Sequence, residues 1–519
     1  MLPKFKNEPL TDFSVLQNRA AFEAALDQVK SEIGRRYPLV IGGEQVWTDD
    51  VIESTNPSRP DEILGQFGRA DTSHAERAVE CAVGAFESWK RVPAADRARY
   101  LTSAAAEMRR RKHEFSAVMV LEVGKTWPEA DADTSEAIDF LEYYARQMLK
   151  LADSSGLLVD IPGEEIALEY IGLGVGVIIP PWNFPNAIMA GMTSAAIVAG
   201  NSAILKPASQ SPWIAYKFCE LMWNQGLPPG VLIFLTGPGA VAGSYLVEHP
   251  QVRFIAFTGS KEVGLDIYEK SARVAPGQKW LKRATVLEMG GKDAIIVDET
   301  ADLESAAKGI VQSAFGFQGQ KCSACSRAII VDAVYDEVER RIVELTNKLK
   351  LGQPDAPETD LGPVCGPGAY RDILGYIEIG KGEGELLTGG GPVETPEGGY
   401  FIAPTVLGDV DGYARVAQEE IFGPVLALVR VRDYNEALEV ANSTEYGLTG
   451  AVYSRSRERL ERAREDFHVG NLYFNRKCTG AFVGAHPFGG FNMSGTDSKA
   501  GGPDYLLHFT QAKLVAEKL

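Results

Sequence analysis

The sequence predicts an α/β protein of two domains, each built around a parallel β-sheet. With 519 residues the chain is too long for one ordinary domain, since chains of this size divide into several. Short β-rich runs alternate with helix-like segments through its middle, a pattern typical of βαβ units. A second series of the same kind follows the first, and we place the join between the two domains near Glu288.

The composition is that of a soluble globular protein. Hydrophobic residues make up 45% of the chain and charged residues 24%. Acidic residues outnumber basic ones by 70 to 52, which gives a net charge of −18. Because this excess repels phosphate backbones and anionic lipid, we expect neither a nucleic-acid nor a membrane-surface role. The simplest interpretation of the charge is that it keeps a soluble protein dispersed.

Targeting signals and cysteine usage favour the cytoplasm. The first ten residues, MLPKFKNEPL, lack the apolar core and cleavage site of a secretory signal. Residues 170–205 carry no charge, but prolines, asparagines and glycines interrupt them, so we predict a strand, a turn and a buried helix rather than a membrane span. The six cysteines are scattered, which predicts free thiols in a reducing compartment. No histidines are paired at ligand spacing, so no metal site is expected.

The secondary structure is predicted from periodicity, in chain order. Residues 75–89, 94–123 and 133–151 place apolar side chains at helical spacing among charges. Strands are then expected at 175–179, 202–205, 231–235, 254–257 and 294–297, each flanked by Gly, Pro, Ser or Asn. The second series has a strand at 327–331 and a helix at about 335–350. Residues 351–369 and 380–399 are rich in Gly and Pro and are predicted to be long surface connections.

Several predicted strands end in loops suited to ligand binding, because ligands collect at the carboxyl ends of parallel strands. Lys206 is a candidate for a ribose or phosphate oxygen, and Ser260 opens a helix where a pyrophosphate fits. Gly237 lies in a further loop of low bulk. None of these loops is a GxGxxG motif or a P-loop, so a solvated lysine and simple turns remain the alternatives on local grounds.

Cys322 is a candidate nucleophile in the segment FQGQKCS, between a helix and the strand at 327–331. The adjacent Lys321 and nearby free amides are expected to lower the thiol pKa and supply thiolate. The alternative is a buried thiol that acts as a small hydrophobe. Cys325 completes a CxxC, but a zinc site needs a second pair and a thioredoxin-like role needs a first βα turn. A resolving role for Cys325 under oxidation stays open.

Glu288 and Asn183 are candidates for a base and an oxyanion donor. Glu288 stands between apolar neighbours at a strand end, so desolvation is expected to raise its pKa towards the working pH. A helix cap or a solvated strand end is the alternative. Asn183 lies between prolines, and a fixed side-chain amide there is suited to donate to a developing oxyanion. A turn-forming asparagine is the alternative.

Seven motifs occur together in the order in which they occur in the aldehyde dehydrogenase superfamily. They are PWNFP (181–185), KP (206–207), FTGS (257–260), LEMGGK (287–292), GQKC (319–322), EEIFGP (419–424) and PFGG (487–490). The chain therefore resembles this superfamily from about residue 37 to 518. The resemblance implies two Rossmann-like domains and a small β-flap. It assigns residues 1–158 and 174–287 to a cofactor domain, 288–498 to a catalytic domain, and 159–173 with 499–519 to a flap for homo-oligomers built from dimers.

Carried over position by position, the resemblance implies a cysteine-based oxidation of an aldehyde with NAD. Cys322 would attack the aldehyde, Asn183 and the Cys322 N–H would hold the oxyanion, and Glu288 would activate the water that hydrolyses the thioester. The implied cofactor-binding residues are Lys206, Ser209, Gly237, Ser260, Glu420 and Phe422. Ser209 stands where many NAD-preferring members carry an acidic residue that repels a 2′-phosphate. Without that repulsion, NADP is expected to be accepted as well.

Within the superfamily the chain looks like the members that oxidise L-glutamate γ-semialdehyde to L-glutamate in proline catabolism. This similarity implies that Ser323 and the amides of Gly480 and Ala481 bind the substrate carboxylate, while Glu136 faces the amino group. Phe184 and Phe488 would also line the substrate site, and Cys478 receives no role. Direct delivery of substrate by a proline dehydrogenase stays open. The rival functions are a non-catalytic relative and a cofactor-free thiol hydrolase, which would need an activating histidine that no motif supplies.

Overall fold

A computed structural model describes residues 2–153 and 157–519. Met1 and residues 154–156, which belong to the predicted cofactor domain, lie outside the described residues. The helices of the described part are α1 (Leu16–Lys30), α2 (Thr72–Trp89), α3 (Ala94–Arg110), α4 (Lys112–Val123), α5 (Trp127–Ala152), α6 (Ala187–Val198), α7 (Pro212–Asn224), α8 (Ser244–Glu248), α9 (Lys261–Ser271), α10 (Leu303–Phe315), α11 (Tyr335–Thr346), α12 (Pro367–Glu383), α13 (Arg415–Gln418), α14 (Tyr434–Ala441) and α15 (Arg457–Asp466).

The strands occur throughout the described part of the chain, and most of them are short. They are β1 (Arg35–Tyr37), β2 (Leu39–Ile41), β3 (Glu44–Val46), β4 (Val51–Asn56), β5 (Arg59–Gly68), β6 (Glu164–Gly172), β7 (Val175–Ile179), β8 (Ser202–Leu205), β9 (Leu232–Phe234), β10 (Val252–Thr258), β11 (Arg283–Glu288), β12 (Asp293–Val297), β13 (Cys325–Val331), β14 (Glu385–Thr388), β15 (Thr405–Gly408), β16 (Val425–Val431), β17 (Tyr446–Gly447), β18 (Thr449–Tyr453), β19 (Asn471–Phe474), β20 (Phe491–Asn492) and β21 (Thr510–Lys518).

The first large sheet has seven strands in the order β11-β10-β7-β8-β9-β2-β3. Its five later strands are parallel, whereas β2 and β3 join one edge in antiparallel pairs. Both faces are covered by helices. Val177 and Ile204 pack towards α2, α8 and α9, and Ile178 and Leu205 pack towards the cluster of α3 to α7. Burial on both faces explains why these strands are apolar throughout rather than alternating.

The second large sheet also has seven strands, in the order β14-β15-β16-β13-β12-β18-β19. All its pairs are parallel except that of β14 with β15. Alternate residues of β12 face opposite layers, since Ile295 packs with α10 and α11 while Ile296 packs with α14 and α15. The predicted α/β class and its parallel sheets are thus confirmed.

Three local predictions were wrong. The predicted helix at 94–123 is two helices, because Arg111 between α3 and α4 has non-helical dihedral angles (φ −103°, ψ 21°). No strand was predicted before α2, where the structure has β1 to β5. The predicted connections at 351–369 and 380–399 overlap α12, which contains glycines, and β14, which glycines flank, and these glycines hid the helix and the strand.

A two-stranded ribbon stands apart from both large sheets. β6 and β21 are antiparallel and form nine residue pairs, from Gly172 opposite Thr510 to Glu164 opposite Lys518. Most side chains of both strands are exposed. These are the segments for which the sequence predicted a flap. Within the described ranges, no helix combines the length and apolarity needed to cross a bilayer.

Candidate active site

The candidate residues meet where the carboxyl ends of the two large sheets approach each other. Glu288 is the last residue of β11, Asn183 follows β7, and Cys322 lies in the loop that leads into β13. The Asn183 side-chain amide donates to the carbonyl of Gln320 at 3.1 Å, two residues before Cys322. A Cβ added at Gly291 would collide with the Cys322 carbonyl. The structure therefore brings the predicted nucleophile, base and amide donor together.

The loop that carries Cys322 begins in a strained turn. Phe317 and Gln318 both have positive φ, 50° and 56°, and Gly319 follows with φ 68°. Side-chain hydrogen bonds hold this turn: Gln318 Nε2 donates to the carbonyls of Gly124 at 3.1 Å and Pro363 at 2.7 Å. Left-handed backbone at non-glycine residues persists only where the surroundings enforce it, and such strain clusters at functional sites.

The expected lowering of the Cys322 thiol pKa is contradicted. Burial raises the pKa of this thiol well above its usual range, and the negative charges of Asp293, Glu420 and Glu288 raise it further. Lys321 does not offset them, because its ammonium pairs with the Glu129 carboxylate at 2.7 Å. The sequence prediction failed because that partner is distant in the chain. In this state the thiol is protonated at neutral pH.

Glu288 is buried with only 8% of its surface exposed, and burial raises its pKa to about 7. The rise in pKa agrees with the sequence prediction. Its Oε1 accepts a hydrogen bond from the Ser498 hydroxyl at 2.6 Å, and its Oε2 accepts one from the Gly490 N–H at 3.3 Å. These hydrogen bonds lower the Glu288 pKa, but they offset only part of the rise that burial causes. A carboxyl group with a pKa near 7 is suited to take a proton from water at neutral pH.

Glu420 approaches the backbone next to Glu288. Its Oε1 accepts a hydrogen bond from the Gly291 N–H at 3.0 Å, and burial raises its pKa to about 7. A Cβ at Gly290 would collide with the Glu420 carboxylate, so the glycine is required for this approach. Phe422, at φ 55°, packs edge-to-face on Trp182 with ring centroids 5.6 Å apart. The EEIFGP segment thus reaches the loop that holds Asn183.

The predicted cofactor residues line the carboxyl end of the first sheet. Lys206 is 5% exposed, and burial lowers the pKa of its ammonium group to about 8, with no carboxylate of the described chain offsetting the effect. Gly243 leaves room for its side chain, since a Cβ there would stand 3.3 Å from Lys206 Cε. Ser260 is exposed at the N-cap of α9, and Ser209 is exposed beyond β8. Gly237 is buried against Ala70 and Ala242.

This edge fits a dinucleotide. A desolvated ammonium without a counter-charge is suited to hydroxyl or phosphate oxygens, and the α9 N-terminus offers free N–H groups to a pyrophosphate. Glu420 is suited to accept hydrogen bonds from ribose hydroxyls. In contrast, no group of three or more side chains that could hold a metal ion occurs among the residues that the structure describes.

The predicted substrate residues lie around the same loop. Phe184 is half-buried, with Lys125 Nζ 3.9 Å and Lys321 Nζ 6.0 Å from its ring centroid. Burial and, to a smaller extent, the neighbouring Asp133 raise the pKa of Glu136 to about 8. A cationic ligand group beside this carboxyl group would favour its ionised form.

The second group of predicted substrate residues belongs to the catalytic half. The Ser323 carbonyl accepts a hydrogen bond from the Cys478 thiol at 3.4 Å, which connects the loop that carries Cys322 to the segment containing Gly480. Gly480 has φ 78° and an exposed backbone, and Ala481 is partly exposed beside it. Phe488 forms two backbone hydrogen bonds with Ala500.

Sequence reasoning missed several residues of this region. Asp293, buried beneath Cys322, accepts the Thr449 N–H at 2.6 Å, and Ser498 and Lys125 were not considered. Cys325, considered as a partner for Cys322, instead donates to the Arg327 carbonyl at 3.4 Å and contacts the Cys478 thiol. One signal was available: acidic residues at 129, 133 and 136 recur on one helix face, and a buried acidic face requires cations.

Comparisons with known proteins agree with this geometry. The model of the aldehyde dehydrogenase family matches residues 46–515. The 1-pyrroline-5-carboxylate dehydrogenase of Geobacillus thermodenitrificans is 61% identical over 518 residues, which cover 100% of both chains. A crystal structure of 1-pyrroline-5-carboxylate dehydrogenase from Thermus with bound NAD matches with a TM-score of 0.97, at 54% identity over 100% of both chains. Proline utilization A from Bdellovibrio bacteriovorus matches with a TM-score of 0.96 at 45% identity, over 99% of this chain and 53% of that one.

Proposed function

The chain belongs to the aldehyde dehydrogenase family, and on that premise we propose that it oxidises L-glutamate γ-semialdehyde to L-glutamate with NAD. The semialdehyde is the open form of 1-pyrroline-5-carboxylate, the compound in the names of its relatives. One observation carries the proposal: a thiol, a side-chain amide and a carboxyl group with a pKa near 7 converge at one buried place. That set serves covalent oxidation of an aldehyde.

The proposed reaction begins with attack by the Cys322 sulfur on the aldehyde carbon. The thiol first loses its proton to water, and because burial raises the pKa of this thiol, that loss is favoured at alkaline pH. The Asn183 amide and the Cys322 N–H hold the oxyanion. NAD, when bound, accepts the hydride, and a thioester remains on Cys322. Glu288 then takes a proton from water, the oxygen attacks the thioester carbon, and the Cys322 thiolate leaves.

Both ends of the proposed substrate find suitable groups. Glu136 is a carboxyl group whose pKa is raised to about 8 by burial, and a substrate ammonium would ionise it. Ser323 and the amides of Gly480 and Ala481 supply neutral donors for the α-carboxylate, and Phe184 and Phe488 flank the aliphatic part. These roles, like those of Cys322, Glu288 and Asn183, are part of the proposal.

For the cofactor we propose that Lys206 and Glu420 hold the two riboses, with Ser260 and Gly237 beside the pyrophosphate and Phe422 beside the nicotinamide. A Thermus relative has been solved with bound NAD. We extend the proposal to NADP, because the exposed Ser209 carries no charge to repel a 2′-phosphate.

The proposed assembly follows the predicted division of the chain. Residues 1–158 and 174–287 form the cofactor domain, 288–498 the catalytic domain, and 159–173 with 499–519 the flap of a homo-oligomer built from dimers. The exposed β6–β21 ribbon supports an interface there. We also propose a functional link to a proline dehydrogenase, because this chain matches about half of a proline utilization A. The scattered thiols support a cytoplasmic location.

The proposal is tested by the rate of NAD reduction with three five-carbon aldehydes. L-Glutamate γ-semialdehyde carries both polar ends, 5-oxopentanoate lacks the amino group, and pentanal lacks both groups. We expect kcat/KM to fall at each step, by about a thousandfold in total, because a site built to bind polar groups rejects analogues that lack them. Equal kcat/KM for the three aldehydes would refute the substrate assignment, and no reduction with any of them would refute the enzyme activity.

A further inference from the structure

Lys125 is a fully buried cation at the junction between α4 and α5. Its Nζ lies 3.0 Å from Asp133 Oδ2, and neither side chain is exposed to solvent. Removing two charges from water is costly, and their mutual attraction offsets this cost only in part. A buried pair of this kind needs an explanation beyond stability.

The Lys125 ammonium faces rings of two loops of the proposed site. One follows β7 and carries Asn183 (the oxyanion loop), and the other leads into β13 and carries Cys322 (the nucleophile loop). The Lys125 Nζ is 3.9 Å from the ring centroid of Phe184 and 4.5 Å from that of Phe317. Phe184 directly follows Asn183, and Phe317 starts the left-handed turn that leads to Cys322. A desolvated cation attracts aromatic faces strongly. One ammonium group therefore contacts both the oxyanion loop and the nucleophile loop.

Neighbouring groups of the same junction touch the same two loops. Asp133 Oδ1 accepts a hydrogen bond at 2.6 Å from the N–H of Ala187, the first residue of α6 after the oxyanion loop. The Gly124 carbonyl accepts one at 3.1 Å from Gln318 Nε2 in the strained turn. The junction is thus attached to each loop by one ring contact and one hydrogen bond.

A second buried pair on these helices shows that α4 and α5 are joined without Lys125. Lys112 Nζ lies 3.0 Å from Asp131 Oδ2, and both side chains are buried. The other partners of Lys112 are the Pro9 carbonyl and the Thr11 hydroxyl, which belong to the N-terminal segment and to neither of these two loops. Lys112–Asp131 is therefore a matched pair with the same chemistry and no contact with the site.

We propose that Lys125 is a positioning residue: by holding the Phe184 and Phe317 rings on one ammonium group, it sets the distance between the Asn183 amide and the Cys322 sulfur. The inference deepens the proposed function and rests on it. Because a misplacement of about 1 Å can lower a rate by about a hundredfold, a residue that touches no reacting atom can control turnover in this way.

The test uses double variants that remove each buried pair without leaving a lone charge. In Lys125→Met/Asp133→Asn the stem and the acceptor for Ala187 remain, but the cation is gone. We expect thermal unfolding close to that of the parent, a kcat for NAD reduction at least about tenfold lower, and a KM for NAD within about twofold. Lys112→Met/Asp131→Asn is the control and should keep the parental kcat.

Parental kcat in the Lys125→Met/Asp133→Asn variant would overturn the inference, as would an equal loss in the control. If that variant does not fold, Phe317→Leu carries the test, since it keeps the ion pair and removes one ring; unchanged kcat in it would also refute the inference. The rate of Cys322 alkylation by iodoacetamide is measured alongside, because it needs neither substrate nor NAD. A parent inactive with the semialdehyde contradicts the proposed function, whereas a rate of alkylation unchanged by the variants contradicts the role of Lys125.

Discussion

Polar side chains at the carboxyl edges of the two large sheets differ in how far they are buried. At the edge of the first sheet, Ser209 and Ser260 are exposed, whereas Lys206 is buried. At the edge of the second, burial raises the pKa of Cys322, and it raises the pKa of Glu420 to about 7. Glu288, where the two edges meet, shares this desolvated environment.

In the proposed function the first edge holds the cofactor and the second carries out the chemistry, and the two edges differ in burial accordingly. Polar groups left in water bind a ligand at little cost to the folded protein, and changing them alters affinity by modest factors. Buried groups are costly to ionise, yet in a dry site each interacts far more strongly with developing charge. Substitutions at the second edge should therefore change turnover much more than substitutions at the first.

The largest effect is expected from Cys322→Ser. Loss of the nucleophile should lower kcat for NAD reduction by at least about a thousandfold, as removal of a covalent nucleophile does in other enzymes. Cys81→Ser is the control, because Cys81 is another partly exposed free thiol and lies outside the site. A Cys322→Ser variant with more than a few per cent of parental turnover would eliminate the covalent mechanism.

The next largest effect is expected from Glu288→Gln. Because the Glu288 pKa is about 7, the ionised base accumulates as the pH rises through 7, and the steady-state rate of the parent should rise over that interval. The variant should turn over about a hundredfold more slowly and lose this inflection. Glu122→Gln is the control, since burial also raises the pKa of Glu122, to about 8, and this carboxylate of α4 accepts the Trp213 N–H at the start of α7. The same pH profile in parent and Glu288→Gln would exclude Glu288 as the base.

The smallest effect, at the first edge, is expected from Ser209→Glu. A carboxylate at this exposed position should repel the 2′-phosphate of NADP and lower kcat/KM for NADP by about tenfold, while kcat/KM for NAD stays within about twofold. Gln210→Glu adds the same charge at the next exposed position and is the control. If the two variants behave alike, or if the parent does not use NADP, the proposed reason for dual cofactor use is wrong.

Strand positions in the middle of the chain were predictable because burial on both faces leaves continuous apolar runs. β7 and β8 have the predicted bounds. β2 was missed although its hairpin with β3 turns at two glycines, a local signal, because only three residues form each strand; its single pair with β9 joins segments distant in sequence. Local patterns report burial and periodicity, whereas the pairing of short edge strands is decided by tertiary contacts.

The candidate site divides in the same way. The rise in the Glu288 pKa was predicted from its apolar neighbours in sequence, and burial causes it in the fold. The Cys322 pKa was mispredicted because the fold buries the thiol, because Asp293 lies beneath it, and because Glu129 neutralises Lys321. The Lys125–Asp133 pair also depends on tertiary packing. Sequence identifies which groups can react, and the fold decides which charges accompany them.

The β6–β21 ribbon has a consequence for synthesis of the chain. Its two strands lie so far apart in sequence that a ribosome must make nearly all of the protein before β6 finds its partner. Until then β6 exposes free edges to neighbouring nascent chains. Two of its glutamates, Glu169 and Glu164, stand opposite Lys513 and Lys518 in the finished ribbon, whereas Glu165 stands opposite Glu517. The two pairs of opposite charge outnumber the pair of like charge, so the charge pattern favours β21 as the partner of β6.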